Sequence, residues 1–202
     1  EAYVNAYVTH YVANSKEKHL MAKHIMAFAM QNKDVEDLNE MIRFQLKEGG
    51  FLGESLSFKG KEFSIGDRVM FTENDHREWF VKTLESPSDC PKIGVKNGTF
   101  GKVESFNKEK SVLDIRLLKD NRLVRVNLKT YDHLDYGYAM TVNKAEGQTF
   151  DYVYGLFDPL MSANKVLIWM TRHRDAFQGF VSKEHASDIN EMANVAGRSE
   201  YR

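Results

Sequence analysis

Two unbroken apolar runs, Ile25-Met-Ala-Phe-Ala-Met30 and Tyr152-Val-Tyr-Gly-Leu-Phe157, constrain this chain more than any other feature. Runs of this length mark strands covered on both faces, as in a parallel sheet with helices packed against it. Between them the texture changes to all-β. From about residue 56, Phe58, Phe63, Ile65, Val69 and Phe71 fall on short segments punctuated by Gly60 and Gly66-Asp67. Gly94-Val-Lys-Asn-Gly98 supplies an Asn-Gly turn. Ser111 to Leu118 and Leu123 to Leu128 read as a hairpin around Lys119-Asp120-Asn121-Arg122. Several short strands within roughly seventy residues favour a small barrel over an open sheet. The outline is an α/β domain interrupted by a small β module.

The helical pattern fits that outline. Tyr3, Tyr7, Val8, Tyr11 and Val12, then Leu20 and Met21, are interleaved with polar residues, with a break expected near Asn14-Ser15. A second helix begins at Asn32 or Lys33, carries Val35, Leu38, Ile42 and Leu46 at helical spacing, and stops at Gly49-Gly50. The polar stretch from Glu73 to Lys92, with Pro87 and Pro91, reads as a long exposed loop. Met161 to His173 is expected to be helical, with Val166, Leu167 and Met170 on one face. Phe177-Gln-Gly-Phe-Val181 is a last short strand, and the tail from Glu184 is either a frayed helix or disordered.

The bulk numbers exclude several classes. With 202 residues, 42% apolar and 28% charged, the chain has material for a core in one large domain or two small ones. Its net charge of −1 argues against a strongly basic nucleic-acid binder, so any such contact must come from a local patch. Cys90 is the only cysteine, which excludes an internal disulfide and a cysteine-rich metal site and fits a reducing cytoplasm. No run approaches eighteen apolar residues and no basic-then-apolar leader opens the chain, so no membrane association is expected. The chain opens on Glu1 inside a helical pattern and reads as a piece of something longer.

Chemistry concentrates in Tyr138-Ala-Met-Thr-Val-Asn-Lys-Ala-Glu-Gly-Gln-Thr-Phe-Asp151 and Met170-Thr-Arg-His-Arg-Asp175. Short hydroxyls, a Lys and a Gly precede an apolar run, and two arginines close an amphipathic segment. The plain reading of the first is a strand-to-helix turn with solvated polar residues. The functional one is a clamp in which Thr141, Lys144 and Thr149 meet phosphate oxygens. Arg172 and Arg174 are either partners of a helix dipole or, for Arg172, a nucleotide-phosphate contact. No phosphate-cradling loop accompanies them. The nearest approach, Lys96-Asn-Gly-Thr-Phe-Gly101-Lys102-Val103, lacks the first Gly and the metal-binding hydroxyl and lies in the β module. No acidic pair preceded by four apolar residues is present. His19 and His24 are five apart and do not share a helix face, so no metal site is expected. The chain alone is not expected to hydrolyse a nucleotide.

Five segments occur in series: Met26–Asn39, Phe63–Phe71, Gly94–Val103, Gly137–Thr149 and Thr171–Arg174. In that order they resemble the C-terminal motor half of a RecD-like superfamily-1 DNA helicase, as in TraA-type conjugal-transfer relaxases, over about residues 23–185. The resemblance implies an α/β fold: a RecA-like, P-loop-NTPase-type second helicase domain at 1–55 and 134–185. It also implies an SH3-like β barrel inserted at 56–133, with 186–202 as a polar tail. It implies that Thr141, Asn143, Lys144 and Thr149 contact single-stranded DNA, and that Gly147, Gln148 and Arg172 face the nucleotide. Arg172 is then the catalytic arginine finger toward the terminal phosphate. ATP and Mg²⁺ would be held chiefly by a first motor domain outside this chain, with none bound by the chain alone. The implied partners are single-stranded DNA and the N-terminal motor and relaxase domains of a parent protein.

The chain departs from the family pattern at three places. Asn143 and Glu146 stand where the family usually has His and Gln, and Gln31-Asn32 replaces a Thr/Arg-like pair. Glu146 loses an amide donor and puts a negative charge beside DNA phosphate. The alternative is a catalytically silent fragment acting as a DNA-binding or protein-interaction module. Tyr138 and Trp169 are candidates either for stacking on bases or for the core.

Overall fold

A computed structural model describes residues 1–15, 25–79, 81–82, 93–186 and 188–197. Leu20, Met21, His19, His24, Pro87, Cys90 and Pro91 lie outside the described residues. In chain order the elements are α1 (Ala2–Ser15), β1 (Ile25–Ala29), α2 (Asn32–Glu48), β2 (Ser55–Phe58), β3 (Lys61–Ser64) and β4 (Arg68–Phe71). Then come β5 (Asp75–Trp79), β6 (Val81–Lys82), β7 (Ile93–Val95), β8 (Phe100–Asn107), β9 (Val112–Leu117) and β10 (Leu123–Asn127). The series closes with β11 (Leu134–Tyr136), β12 (Ala139–Thr141), β13 (Phe150–Leu156), α3 (Ala163–Thr171), β14 (His173–Phe180) and α4 (Ile189–Ala196). The chain divides into two compact units, 1–42 with 138–202, and 43–137.

The first unit is built on a four-stranded sheet in the order β12-β1-β13-β14, with all its pairings parallel. Every residue of β1 is fully buried, as its unbroken apolar sequence requires of a strand flanked on both sides and covered on both faces. Helix α1 turns Tyr3, Tyr7 and Tyr11 to the core at a spacing of four. The Tyr3 hydroxyl donates to the Tyr154 carbonyl at 2.9 Å, and Tyr7 meets the Tyr154 ring edge-on at 5.7 Å. A buried phenol needs such an acceptor, and burial pushes the Tyr3 hydroxyl well above its usual range.

Helix α2 buries Leu38, Ile42 and Leu46 along one stripe. It ends in a Schellman arrangement: Phe51 N donates to Leu46 O at 2.9 Å and Gly50 N to Lys47 O at 3.0 Å. Gly50 has φ +72, a left-handed conformation that glycine adopts without strain.

The second unit contains a six-stranded sheet, β11-β4-β8-β9-β10-β6, together with the β2–β3 hairpin and the β5–β7 pair. All its pairings are antiparallel. Alternation along β9 and β10 puts Leu113, Ile115, Leu117, Val124 and Val126 into a core shared with Phe71 and Leu134. The hairpin expected around residues 119–122 forms as β9–β10, with Asn121 at φ +60.

One polar network is buried in this unit. Arg43 Nε donates to both carboxylate oxygens of Asp67 at 3.1 and 3.0 Å, and Arg43 also reaches Glu62 and Ser64. Asp67 is fully buried, and Arg43 and the Ser64 amide, at 2.6 Å, both donate to its carboxylate.

Candidate functional site

The site segment begins on an edge strand that is pinned by one side chain. Asn39 of α2 is 4% exposed, and its Oδ1 accepts from the amides of Tyr138 at 3.0 Å and Ala139 at 2.8 Å. Its Nδ2 donates to the Ala139 carbonyl at 3.4 Å. The start of β12 thus finds on a helix the hydrogen bonds that an edge strand otherwise takes from water. Asn39 was not identified from sequence as functional. The available signal was an amide beside Leu38 on the apolar side of an amphipathic helix.

Thr141 ends β12 opposite Ala29, and Val142 N continues the ladder to Ala29 O at 3.0 Å. The chain then forms a compact turn. Ala145 N donates to Thr141 O at 3.1 Å, Gln148 N to Ala145 O at 3.0 Å, and Gln148 Nε2 to Lys144 O at 3.1 Å. The Thr141 hydroxyl caps it by accepting from Lys144 N at 3.3 Å. Val142 and Ala145 are fully buried and act as pegs, while Asn143, Lys144, Glu146, Gly147 and Thr149 are exposed. Gly147 has φ +76 with open space where a Cβ would stand.

No helix follows this turn, contrary to the strand-to-helix expectation. The chain passes directly into β13, because the left-handed Gly147 reverses it before a second helical turn can form.

The register shows what this path does. Thr141 is opposite Ala29 and Tyr152 is opposite Ile25, four residues apart along β1, or about 13 Å. Asn143 and Lys144 therefore follow the carboxyl end of β12, whereas Phe150 lies at the amino end of β13. There it meets the second motif. Phe150 N donates to Arg172 O at 2.9 Å, and Phe150 is in register with His173.

Helix α3 starts at an N-cap, Ser162, whose side chain accepts from Lys165 N at 3.5 Å, and ends at a C-cap, Arg172. Its inward residues are Val166 and Trp169. Trp169 packs directly on Gly155, where an added Cβ would be 2.1 Å from Nε1. Phe177 meets the indole edge-on at 4.6 Å. Trp169 at 1% exposure and Tyr138 at 0% are core residues, which removes them as base-stacking surfaces.

The two arginines differ. Arg174 Nη1 is paired with Asp151 Oδ1 at 3.0 Å. Arg172 Nη2 reaches only the Thr171 hydroxyl, at 3.3 Å, and its buried Nε has no acceptor among the described residues. The Thr171 hydroxyl in turn donates to Leu167 O at 2.6 Å. A cation held this way has its charge available for an anion.

Beyond the carboxyl ends of β1 and β13, Gln31 Nε2 donates to Asp158 Oδ2 at 3.0 Å. Burial and the neighbouring Asp158 raise the Asp34 carboxyl above its usual range. Among the described residues no group of three or more His, Cys, Asp or Glu could hold a metal, and no helix is long and apolar enough to cross a membrane.

No protein-family model matches the chain. Among solved structures, the Pif1 helicase from Bacteroides in complex with ADP-AlF3 and ssDNA aligns over 91% of this chain and 50% of its own. Its TM-score is 0.53 at 16% identity. Pif1 from Candida albicans aligns over 98% of this chain and 56% of its own, with a TM-score of 0.53 at 11% identity. The fold is that of about half of a Pif1 helicase chain.

In sequence, the relatives are conjugal transfer proteins. The chain is 32% identical over 157 residues to the probable conjugal transfer protein TraA of Sinorhizobium fredii (strain NBRC 101917 / NGR234), which is 76% of this chain. It is 30% identical over 191 residues to TraA of Agrobacterium fabrum (strain C58 / ATCC 33970), 93% of this chain. It spans 13% and 16% of the lengths of those two proteins. The chain belongs to the family of TraA conjugal transfer proteins.

Proposed function

We propose that this chain is the second motor half of an ATP-dependent DNA helicase or translocase within a conjugative-transfer relaxase. In this reading Thr141, Asn143, Lys144 and Thr149 touch the backbone of single-stranded DNA. Gly147, Gln148 and Arg172 face ATP and Mg²⁺ held by a first motor domain outside this chain. Arg172 offsets the negative charge that builds on the transferring phosphoryl group. The RecA-like part comprises residues 1–55 and 134–185, the β unit at 56–133 is an SH3-like barrel, and 186–202 form a tail. The protein works in the cytoplasm with single-stranded DNA and the N-terminal motor and relaxase domains of its parent.

The observation that carries this reading is the hydrogen bond from Phe150 N to Arg172 O at 2.9 Å. It joins the end of the DNA-side turn to Arg172, whose Nε has no acceptor among the described residues. A strand that shifts with DNA at Lys144 then shifts the arginine that faces the nucleotide. Two further features fit: exposed Lys144, which has no carboxylate partner among the described residues, and exposed Gly147, where a ligand can approach the backbone.

A second reading, a catalytically silent DNA-binding or protein-interaction module, draws on Glu146 and Gln31. Glu146 is exposed two residues from Lys144, and Gln31-Asn32 stands where a Thr/Arg-like pair is expected, with the Gln31 amide committed to Asp158. Titration of the chain with labelled single-stranded DNA across a salt series separates the two. The motor reading expects binding that weakens with salt and with Lys144→Ala. Binding that ignores Lys144, or none at low salt, favours the module.

A further inference from the structure

The end of α3 holds the Arg172 guanidinium through one neutral oxygen. Thr171 is the last residue of that helix and Arg172 its C-cap. A threonine hydroxyl has a single proton, and Thr171 gives it to Leu167 O, one turn back, at 2.6 Å. This bond fixes the hydroxyl on the frame of the helix and leaves its oxygen as an acceptor only. Arg172 Nη2 donates to that oxygen at 3.3 Å. The Arg172 Nε has no acceptor among the described residues, so no bond from it helps to set the plane of the group.

The chemical type of the tether matters. Arg174, two residues on, is held by the Asp151 carboxylate at 3.0 Å, which offsets its charge. A hydroxyl oxygen restrains a guanidinium and leaves the charge in place for an anion. Restraint is useful to such a group. An untethered arginine samples many rotamers on its long stem, and only those aimed at the anion are productive.

We infer that Thr171 is a positioning residue for Arg172. Its hydroxyl passes the orientation of α3 to the guanidinium and aims it at the terminal phosphate of the nucleotide. The assignment rests on the proposed motor function and adds a second residue to it. Thr171 touches no nucleotide in this role and acts only through Arg172.

The test is kcat for DNA-stimulated ATP hydrolysis by a full-length TraA-type protein carrying this segment. The variants are Thr171→Val, Thr171→Ser, Arg172→Ala and the double variant Thr171→Val/Arg172→Ala. Valine keeps the shape of threonine without the hydroxyl, and Thr171 is exposed, so the exchange leaves the core intact. Thr171→Val is expected to lower kcat about tenfold, as misaimed catalytic groups do. Thr171→Ser, which keeps the hydroxyl, should stay within about twofold of the parent. In the Arg172→Ala background the valine should cost nothing more, because the group it acts through is gone. An undiminished kcat in Thr171→Val overturns the inference. So does an equal loss in Thr171→Ser, or a further loss from valine on top of Arg172→Ala, which would mark a role independent of the arginine. If Arg172→Ala itself leaves kcat unchanged, the motor reading fails and the role of Thr171 falls with it. A loss in Arg172→Ala with none in Thr171→Val removes the positioning role alone.

Discussion

Asn39 and Ala139, one hundred residues apart, are joined in both directions: the Asn39 Oδ1 accepts from the Ala139 amide at 2.8 Å and its Nδ2 donates to the Ala139 carbonyl at 3.4 Å. The strand so held delivers Thr141 and the turn that bears Lys144. A side chain that touches neither DNA nor nucleotide in the proposed function therefore sets where both are met. Asn39→Ala leaves the amides of Tyr138 and Ala139 buried without their acceptor. The expected loss is about 2–4 kcal/mol of stability, read from chemical denaturation. Asn39→Asp keeps the acceptor and loses the donor, and should cost less in the same measurement.

Gly155 is required by Trp169. A methyl group there would be 2.1 Å from the indole Nε1, inside a core that also holds Phe177 and Phe157. Gly155→Ala should destabilise the chain by about 1–3 kcal/mol, as overpacking does. Trp169→Phe in the same chain should recover part of it, and a thermal-melt double-mutant cycle reads this coupling.

The Arg43 network predicts how the chain responds to acid. Lys47, Ser55 and Arg43 hydrogen-bond Glu62 and hold its carboxyl at about 2. A carboxyl depressed on folding contributes stability that is present above its unfolded value. That contribution is lost as pH falls toward the folded value. Melting temperature should thus decline as pH drops from about 4.5 to 2. Glu62→Gln should reduce the slope in that window while leaving the rest of the profile in place. Glu62 is a third exposed, so solvent screening limits the size of the effect.

Glu146 sets a prediction for DNA. At about 7 Å from a phosphate in water, one negative charge costs about 0.6 kcal/mol, roughly threefold in affinity. Glu146→Gln should therefore strengthen single-strand binding about threefold in low salt, with the difference shrinking as salt rises. An unchanged affinity places Glu146 away from the strand.

Much of the first unit was legible because its signals are local. The apolar run at Ile25–Ala29 is a fully buried parallel strand, and the period of Leu38, Ile42 and Leu46 with Gly49-Gly50 marks α2 and its end. The β9–β10 hairpin was legible for the same reason. Where the reading fell short, the cause was distant contacts. β14 starts at His173 rather than Phe177, because an edge strand pairs on one side only and tolerates His173, Arg174 and Asp175. The difference between Arg172 and Arg174 depends on Asp151, more than twenty residues away. It is invisible in the sequence Thr171-Arg-His-Arg174. The role of Asn39 depends on a strand one hundred residues downstream.

That difference between the arginines gives the most direct measurement of the central claim. The quantity is kcat for DNA-stimulated ATP hydrolysis by a full-length TraA-type protein carrying this segment, compared between Arg172→Ala and Arg174→Ala. The account predicts that Arg172→Ala lowers kcat by about a thousandfold or more. Arg174→Ala, which loses only its pairing with Asp151, should retain most of the activity. Equal effects of the two substitutions, or hydrolysis that survives Arg172→Ala, would contradict the claim that this half supplies Arg172 to the nucleotide.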